Sequence, residues 1–256
     1  MGLSAIVAAA TLAVTPQQFV LSHQQPDGGF AETGGKSDAA LTAWAVLGLR
    51  ASRTPVNDAY LHAHEDELST PTEIALGVLA EAHPSEALLT RLARMQAPTL
   101  NSTAWKLLAL AQAGRPLPQT RVRYLLTHQA KSGGWSWAVG VASDSNDTAA
   151  VVQALRAARV NGRPVRRALA YLRRLQNKDG GFELTQGRGS DAQSTAWAIQ
   201  AFLAGGARPG RAAYSYLARL RRADGSYRYS AKYATTPVWV TAQVLPALAG
   251  RPYPLR

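Results

Sequence analysis

The chain has 256 residues, of which 46% are hydrophobic and 17% are charged, and its net charge is +12. The apolar content excludes a disordered chain and supports one sizeable core or at most two small domains. The basic residues are scattered along the chain instead of forming a stripe or a tail, which argues against a nucleic-acid partner. The absence of cysteine excludes disulfides, thiolate zinc sites and cysteine nucleophiles.

The first element in chain order is an apolar run of twelve residues, from Leu3 to Val14. It is shorter than the roughly 20 residues that a membrane-spanning helix needs. It has the length of a signal-peptide core, but no basic residue precedes it. Two interpretations of residues 1–14 stay open: a leader of an exported protein, or an extra apolar helix of a cytoplasmic one. Residues 15–256 are expected to form a single domain.

Two short phrases recur along the rest of the chain. The first joins a glutamine, a glycine turn and an aromatic residue, at Gln24–Phe30, Gln129–Trp135 and Gln176–Phe182, with a worn copy at Arg221–Tyr227. The second begins with a threonine, which we call the anchor threonine, and is weakest in its second copy. The spacings between anchors are 30, 31, 45, 47 and 46 residues, which indicates six repeats. The anchors are Thr42, Thr72, Thr103, Thr148, Thr195 and Thr241.

Each repeat is predicted to form two helices joined by a turn. The segment before the turn is amphipathic, as in Val165–Leu175, where the apolar residues share one face. The segment after it, such as Ser194–Leu203, is apolar nearly all round, as expected of a helix that is buried on both sides. Gly180 and Gly181 in the turn are expected to need conformations that other residues resist. Six amphipathic helices around six buried ones predict an all-α fold, an α6/α6 toroid.

The phrase Gln-x-x-Asp-Gly-Gly-Phe/Trp resembles the QW repeat of squalene–hopene-type terpene cyclases and the related repeats of protein prenyltransferases. The resemblance implies a toroid with a central apolar cavity that takes an isoprenoid-like small molecule. Corrinoid carriers of the intrinsic-factor type share the double ring and catalyse nothing. Protein prenyltransferases hold zinc with a cysteine that this chain lacks, and the aspartate-rich magnesium motif of class I terpene synthases is absent. The resemblance therefore implies no cofactor.

Class II terpene cyclases carry an Asp-x-Asp-Asp motif whose middle aspartate is the proton donor. The matching stretch here runs from Asp144 to Asp147, but Asn146 occupies the donor position. Because an amide cannot protonate an alkene, Asp147 and Asp144 become the candidate catalytic residues. Asp144 also has a structural interpretation. It lies four residues before its anchor threonine, as Asp38 and Asp191 do, and an aspartate at that point caps a helix.

The inner helices are expected to run parallel and to gather their N-termini at one mouth of the ring, where their dipoles favour an anionic group. Trp44, Trp105 and Trp197 recur at one repeat position and are expected to pack between the two rings. The polar stretch His62–Glu67 is interpreted as a solvated loop, and no metal site is assigned. The candidate ligand-binding residues are Asn146, Asp38, Asp191, Trp239, Phe202 and Tyr233.

Two hypotheses about function follow. In the preferred one, the protein is a monomeric toroid that binds an apolar or isoprenoid-like small molecule without efficient catalysis, because Asn146 replaces the proton donor and two repeats are short. In the alternative, the protein is a small class II cyclase-like enzyme with Asp147, assisted by Asp144, as the acid. Contact with a membrane surface stays open, and neither a nucleic acid nor a cofactor is expected.

Overall fold

The computed structural model describes residues 13–255, so most of the predicted leader or extra helix at residues 1–14 lies outside the described residues. Within residues 13–255, six inner helices alternate with six outer ones. The inner helices are α2 (Ala39–Ala51), α4 (Pro71–Ala80), α6 (Leu100–Gln112), α8 (Ser145–Ala157), α10 (Ala192–Ala204) and α12 (Pro237–Leu248). The outer helices are α1 (Pro16–Leu21), α3 (Ala59–Ala63), α5 (Glu86–Arg94), α7 (Gln119–Thr127), α9 (Arg163–Arg174) and α11 (Arg211–Leu220). Two strands, β1 (Phe182–Glu183) and β2 (Ser190–Asp191), pair antiparallel before α10.

The inner helices contact one another in a closed order. Helix α2 packs on α4, α4 on α6, α6 on α8, α8 on α10, α10 on α12, and α12 returns to α2. Each outer helix packs mainly on the inner helix that precedes it, as α3 does on α2, while α1 packs on α12. Every residue of α10 from Ser194 to Phe202 is buried, as its apolar character on all sides predicts. The predicted all-α toroid is confirmed.

The outer helices have one apolar face. In α9 the side chains of Val165, Leu169 and Leu172 are buried, whereas Arg166 and Arg173 are exposed to solvent. This division follows the helical period of the sequence. No helix among residues 13–255 is both long enough and apolar enough to cross a lipid bilayer.

The two recurring phrases are joined by one hydrogen bond. In four repeats the backbone N–H of the aromatic residue that ends the glycine turn donates to the hydroxyl oxygen of the anchor threonine. Because both groups are buried, each repeat satisfies a backbone donor that would otherwise be costly to bury. The four donor–acceptor distances are 2.8 Å for Phe30 to Thr42, and 2.9 Å for Trp135 to Thr148, Phe182 to Thr195 and Tyr227 to Thr241.

The second repeat departs from this pattern, and the assignment of Thr72 as its anchor is wrong. Thr70 caps α4, so Ile74 holds the place that the anchor threonine holds four residues after the cap in α6 and α8. The hydroxyl of Thr72 donates instead to Asn101 Oδ1 at 3.1 Å. This repeat has no glycine turn, so no aromatic N–H requires a threonine hydroxyl at position 74.

The first and last repeats close the ring through contacts to the backbone of α12. The carboxylate of Glu32 accepts hydrogen bonds from the N–H groups of Val238 and Trp239, at 3.1 and 2.9 Å, and so binds the first turn of α12. Within the α2–α12 interface, Gly48 lies directly against the backbone of Ala242. A side chain at position 48 has no room there, so this glycine permits the close approach of the two helices.

The glycine turn before β1 yields the first prediction. Gly180 has φ = +86°, as expected, whereas Gly181 is required for space, because a Cβ there would lie 2.6 Å from Ser190 Cβ and 2.9 Å from the ring of Tyr216. We expect Gly181→Val to lower the free energy of unfolding by on the order of 1–3 kcal/mol in urea titrations. Gly140 also has a positive φ, +85°, but lies in open space, so Gly140→Asn, a residue that tolerates the left-handed region, should cost less. Equal losses would show that the turn is not packed as described.

Candidate functional site

A pocket of about 200 Å³ opens on the axis of the ring, and we call it the axial pocket. Five of its lining residues lie in the first turns of α4, α6, α8 and α10, so the N-termini of these helices meet at one mouth, as predicted. Others lie one turn deeper in the inner helices. The lining consists of Trp44, Thr72, Asn101, Trp105, Asn146, Asp147, Ala150, Gln193, Trp197 and Gln243.

Three tryptophans form the apolar wall of the axial pocket. The ring centroids of Trp44 and Trp105 lie 5.5 Å apart, those of Trp105 and Trp197 also 5.5 Å, and those of Trp44 and Trp197 6.2 Å, all with nearly perpendicular planes. Such edge-to-face packing suits the quadrupoles of the indole rings. The prediction that these side chains pack between the two rings of helices is therefore wrong. Residues at one repeat position of a toroid converge on its axis.

The carboxylate of Asp147 lies at the polar side of the axial pocket. Its side chain is buried, and Oδ1 accepts a hydrogen bond of 2.6 Å from Asn101 Nδ2. Asn101 Oδ1 in turn accepts from the hydroxyl of Thr72 at 3.1 Å. Three neighbouring helices thus hold one carboxylate in a fixed position beside the indole wall.

Gln243 supplies an unpaired donor to the same pocket, and the sequence analysis did not select it. Its Oε1 accepts from Trp197 Nε1 at 2.9 Å and from Gln193 Nε2 at 3.0 Å. Because an indole N–H can only donate, these bonds fix the orientation of the amide. Its Nε2 is buried and has no hydrogen-bond partner among residues 13–255. A bound oxygen acceptor would satisfy it.

Asp144 lies directly behind the pocket, at the N-terminus of α8. Its Oδ1 accepts the N–H of Asp147 at 2.8 Å, so the predicted helix cap is confirmed. Burial, and then the charge of Asp147, raise the pKa of Asp144 to about 8. Of the two candidate acids, Asp147 faces the axial pocket and Asp144 supports it. Asn146, at the donor position of the cyclase motif, also lines the pocket.

The far end of the axis is filled by the last residues of the chain. The ring of Tyr253 packs against those of Trp197 and Trp105, with centroids 5.9 and 6.4 Å apart. The Tyr253 N–H donates to the buried Gln153 Oε1 at 2.7 Å. Burial also raises the pKa of the Tyr253 hydroxyl. The C-terminal segment therefore occupies space that would otherwise deepen the pocket, and nothing in its sequence pattern indicated this.

Three predicted ligand-binding residues lie away from the axial pocket. Asp38 is exposed and caps α2 through the N–H of Leu41 at 2.7 Å. Trp239 is half-buried in the first turn of α12. Phe202 was expected to face a ligand, but it is fully buried 5.9 Å from the ring of Phe182. That packing lies between α10 and the glycine turn, so the prediction for Phe202 is wrong.

Asp191 and Tyr233 meet at a second, more polar pocket of about 390 Å³ outside the axis. Asp191 is buried and accepts hydrogen bonds from the N–H and the hydroxyl of Ser194 at 2.7 and 2.8 Å. Burial raises its pKa. Tyr233 is 60% exposed. These two residues are therefore separated from Asp147 and do not join the site at the axis.

The fold has relatives among enzymes of isoprenoid metabolism and beyond. The chain is similar to ent-copalyl diphosphate synthase from Streptomyces platensis, at 20% identity and a TM-score of 0.59 over 83% of this chain and 50% of that one. It is similar to protein geranylgeranyltransferase-I from Candida albicans, complexed with GGPP, at 11% identity and a TM-score of 0.59 over 82% and 83%. A glycosidase variant in complex with glucose gives 11% identity and a TM-score of 0.64 over 92% and 94%.

At these identities the likeness concerns the fold alone, and the chain spans half the length of the synthase. No curated protein sequence matches the chain significantly. The family described as the prenyltransferase alpha-alpha toroid domain matches residues 13–84 and 76–233, which together make up most of the chain. The protein belongs to this prenyltransferase alpha-alpha toroid family.

Proposed function

We propose that the protein binds a short isoprenoid-like ligand, of one or two prenyl units with an oxygen at one end, in the axial pocket and without efficient catalysis. The observation that carries the proposal is the meeting of three indole rings with an unpaired amide donor in one pocket. The indoles of Trp44, Trp105 and Trp197 offer an unsaturated chain an apolar, π-rich wall. Gln243 Nε2 can donate a hydrogen bond to the oxygen of the ligand.

The size of the pocket limits the ligand. A volume of about 200 Å³ corresponds to roughly seven groups of the size of a water molecule, at about 30 Å³ each. One prenyl unit of five carbons fits this volume, whereas a second unit would extend into the mouth of the pocket and a chain of four units would enter only by its end. The indole rings and Tyr253 fill the space that a longer chain would need.

Two proteins of similar fold are known with different ligands, since the Candida enzyme is complexed with GGPP and the glycosidase variant with glucose. Which kind of ligand a pocket binds depends on the side chains that line it. Here the deeper part holds the three indoles and the Gln243 amide, and the other polar groups lie at the mouth, near the N-termini of four helices. The dipoles of these helices favour an anionic head group there. The lining therefore suits a prenyl alcohol or its phosphate ester better than a sugar.

Catalysis is expected to be weak because no free acid faces the wall. Asn146 cannot donate a proton to an alkene, and the Asp147 carboxylate is occupied by Asn101. One observation nevertheless favours proton-initiated cyclisation as a second candidate. The raised pKa of Asp144, about 8, keeps a proton beside Asp147 at neutral pH, and such retained protons serve as acids in buried sites. The indoles would stabilise a carbocation by cation–π attraction.

Isothermal titration calorimetry with geraniol, geranyl diphosphate and glucose tests the proposal. We expect saturable 1:1 binding of the prenyl compounds, weakened about tenfold or more in Trp105→Leu, since one aromatic contact is worth on the order of 1.4 kcal/mol. Trp239→Phe is the matched control, because Trp239 lies outside the pocket, and it should bind as the wild type does. Circular dichroism establishes that both variants fold.

Two outcomes would contradict this function. Saturable binding of glucose without binding of prenyl compounds would assign the pocket to a sugar. Cyclised product from the wild type with geranyl or geranylgeranyl diphosphate, detected by gas chromatography and lost in Asp147→Asn, would establish the cyclase instead. If the pocket merely lacks a donor, Asn146→Asp should gain cyclisation that the wild type lacks.

A further inference from the structure

The second repeat, which has no glycine turn, contains a cluster of metal-binding groups far from the axial pocket. His62 lies in α3, Glu65 lies in the 3₁₀ helix Glu65–Glu67 that follows, and Glu81 directly follows α4. His62 Nδ1 lies 3.1 Å from Glu81 Oε2 and 3.5 Å from Glu65 Oε1. One ligand atom from each residue lies within 4.8 Å of the other two. The cluster thus combines residues that are up to 19 positions apart.

Glu81 is the unusual member of the cluster. Its side chain is fully buried, and neither carboxylate oxygen has a well-formed hydrogen bond among residues 13–255, although the backbone N–H of Ser85 also approaches the carboxylate. Glu65 Oε1 is likewise buried without a donor, whereas Glu65 Oε2 accepts the hydroxyl of Ser85 at 2.7 Å. A buried carboxylate without donors is costly unless a cation compensates it. The unsatisfied oxygens of Glu65 and Glu81 border the same space as His62 Nδ1.

The surrounding side chains supply too little positive charge. The nearby Arg91 guanidinium donates to the backbone carbonyls of Glu65 and Leu68, and not to a carboxylate. One histidine therefore faces two carboxylates, which leaves the cluster short of a cation.

The other histidine of this stretch is engaged elsewhere. His64 Nδ1 lies 2.8 Å from Glu67 Oε1, and its ring stacks on that of Tyr60 with centroids 4.1 Å apart. His64 and Glu67 therefore form a separate pair outside the cluster. They provide neighbouring residues of the same types for comparison with His62 and Glu65.

We propose that His62, Glu65 and Glu81 bind one divalent transition-metal ion, with Zn²⁺ as the representative ion. An imidazole nitrogen with two carboxylate oxygens suits Zn²⁺ and its first-row neighbours, whereas Ca²⁺ and Mg²⁺ prefer oxygen ligands alone. Three protein ligands leave a fourth position to water, on the side where His62 is 38% exposed. The interpretation of this stretch as a plain solvated loop overlooked Glu81, which the fold brings to it.

The position of the site indicates its role. In four of the other repeats the glycine turn is bonded to the anchor threonine of the inner helix, and the second repeat has neither. A metal held by α3, the 3₁₀ helix and the end of α4 would connect the same two layers there. The ion is therefore assigned a structural role, separate from ligand binding at the axis.

Titration of the full-length, chelator-treated protein with ZnCl₂ against a competing fluorescent zinc indicator tests this site. We expect one Zn²⁺ per chain, a melting temperature that rises with Zn²⁺ and not with Mg²⁺, and binding weakened at least about tenfold in His62→Ala and in Glu81→Gln. His64→Ala and Glu67→Gln are the matched controls and should bind as the wild type does. Co²⁺ should give the visible absorption of a four- or five-coordinate ion in the unmutated protein.

Because the Co²⁺ spectrum is recorded on the unmutated protein, it tests the site even if a variant fails to fold. Absence of saturable Zn²⁺ binding by the wild type would overturn the proposal. Equal losses in His64→Ala and His62→Ala would also overturn it, as would a Co²⁺ spectrum typical of six water ligands. If Glu81→Gln were more stable than the wild type and bound Zn²⁺ equally well, the cluster would be only a histidine–carboxylate pair and the proposal would be overturned.

Discussion

Gly48→Ala is expected to lower the free energy of unfolding by about 1–3 kcal/mol, although alanine is the better helix former by nearly 1 kcal/mol. The reason is the contact between α2 and α12, where a methyl group at position 48 would collide with the backbone carbonyl of Ala242. Backbone atoms in a helix cannot rotate away, so the two helices must separate. Urea unfolding followed by circular dichroism measures the change.

Gly77→Ala is the matched control for this substitution. Gly77 also lies inside an inner helix, α4, but the added methyl would meet side-chain ends, those of Leu68 and Leu88, and no backbone atom within 4 Å of another element. We therefore expect Gly77→Ala to be close to neutral, or stabilising through helix propensity. If Gly48→Ala were as well tolerated as Gly77→Ala, the ring would not be closed by tight packing of α2 against α12.

Asp144→Asn should make the protein more stable than the wild type at pH 8, by about 1–3 kcal/mol, and should change little near pH 4. The folded protein holds the pKa of Asp144 at about 8, above the value of 3.8 expected for an unperturbed aspartate. Stability from this group is therefore complete at low pH and is lost as the pH rises from about 4 to 8. Asparagine caps a helix about as well as aspartate, so the variant keeps the cap and loses the pH dependence.

Thermal melts at several pH values measure this difference. Asp38→Asn is the matched control, since Asp38 caps α2 in the same way but is exposed, with Leu41 where α8 has Asp147. Asp38→Asn therefore measures the effect of replacing an exposed capping carboxylate alone. A stability difference between Asp144→Asn and the wild type that stays constant from pH 4 to 8 would show that Asp144 is not held protonated beside Asp147.

The toroid could be predicted from sequence because each repeat is defined by short sequence patterns. The glycine turns, the capping aspartates and the two helix types each depend on neighbours within about a dozen residues. The failures also have a physical cause. An inner helix is apolar on all sides, so its hydrophobic pattern does not distinguish the face toward the axis from the face toward the outer ring. The orientation of Trp44, Trp105 and Trp197 was misjudged for this reason.

One signal for the axial pocket was nevertheless present. Most of its lining lies two residues after an anchor threonine, as Trp105 and Gln243 do, or two before, as Asn101 and Gln193 do. In a closed ring, residues at equal repeat positions point to the same place. Glu81 and Tyr253 carried no such signal, since each meets its partners through contacts between distant segments. Such contacts are defined only by the completed fold.

The order in which the helices pack also governs how this chain reaches its native state. Helix α1 rests on α12, and the Arg221 guanidinium donates to the carbonyl of Val14, 207 positions earlier in the chain. During synthesis, the face of α1 that packs on α12 therefore stays uncovered until α12 has left the ribosome. An open solenoid grows stable repeat by repeat, whereas this ring gains its final contacts in one late event of high contact order. Closure of the ring should therefore be slower than the pairing of neighbouring repeats.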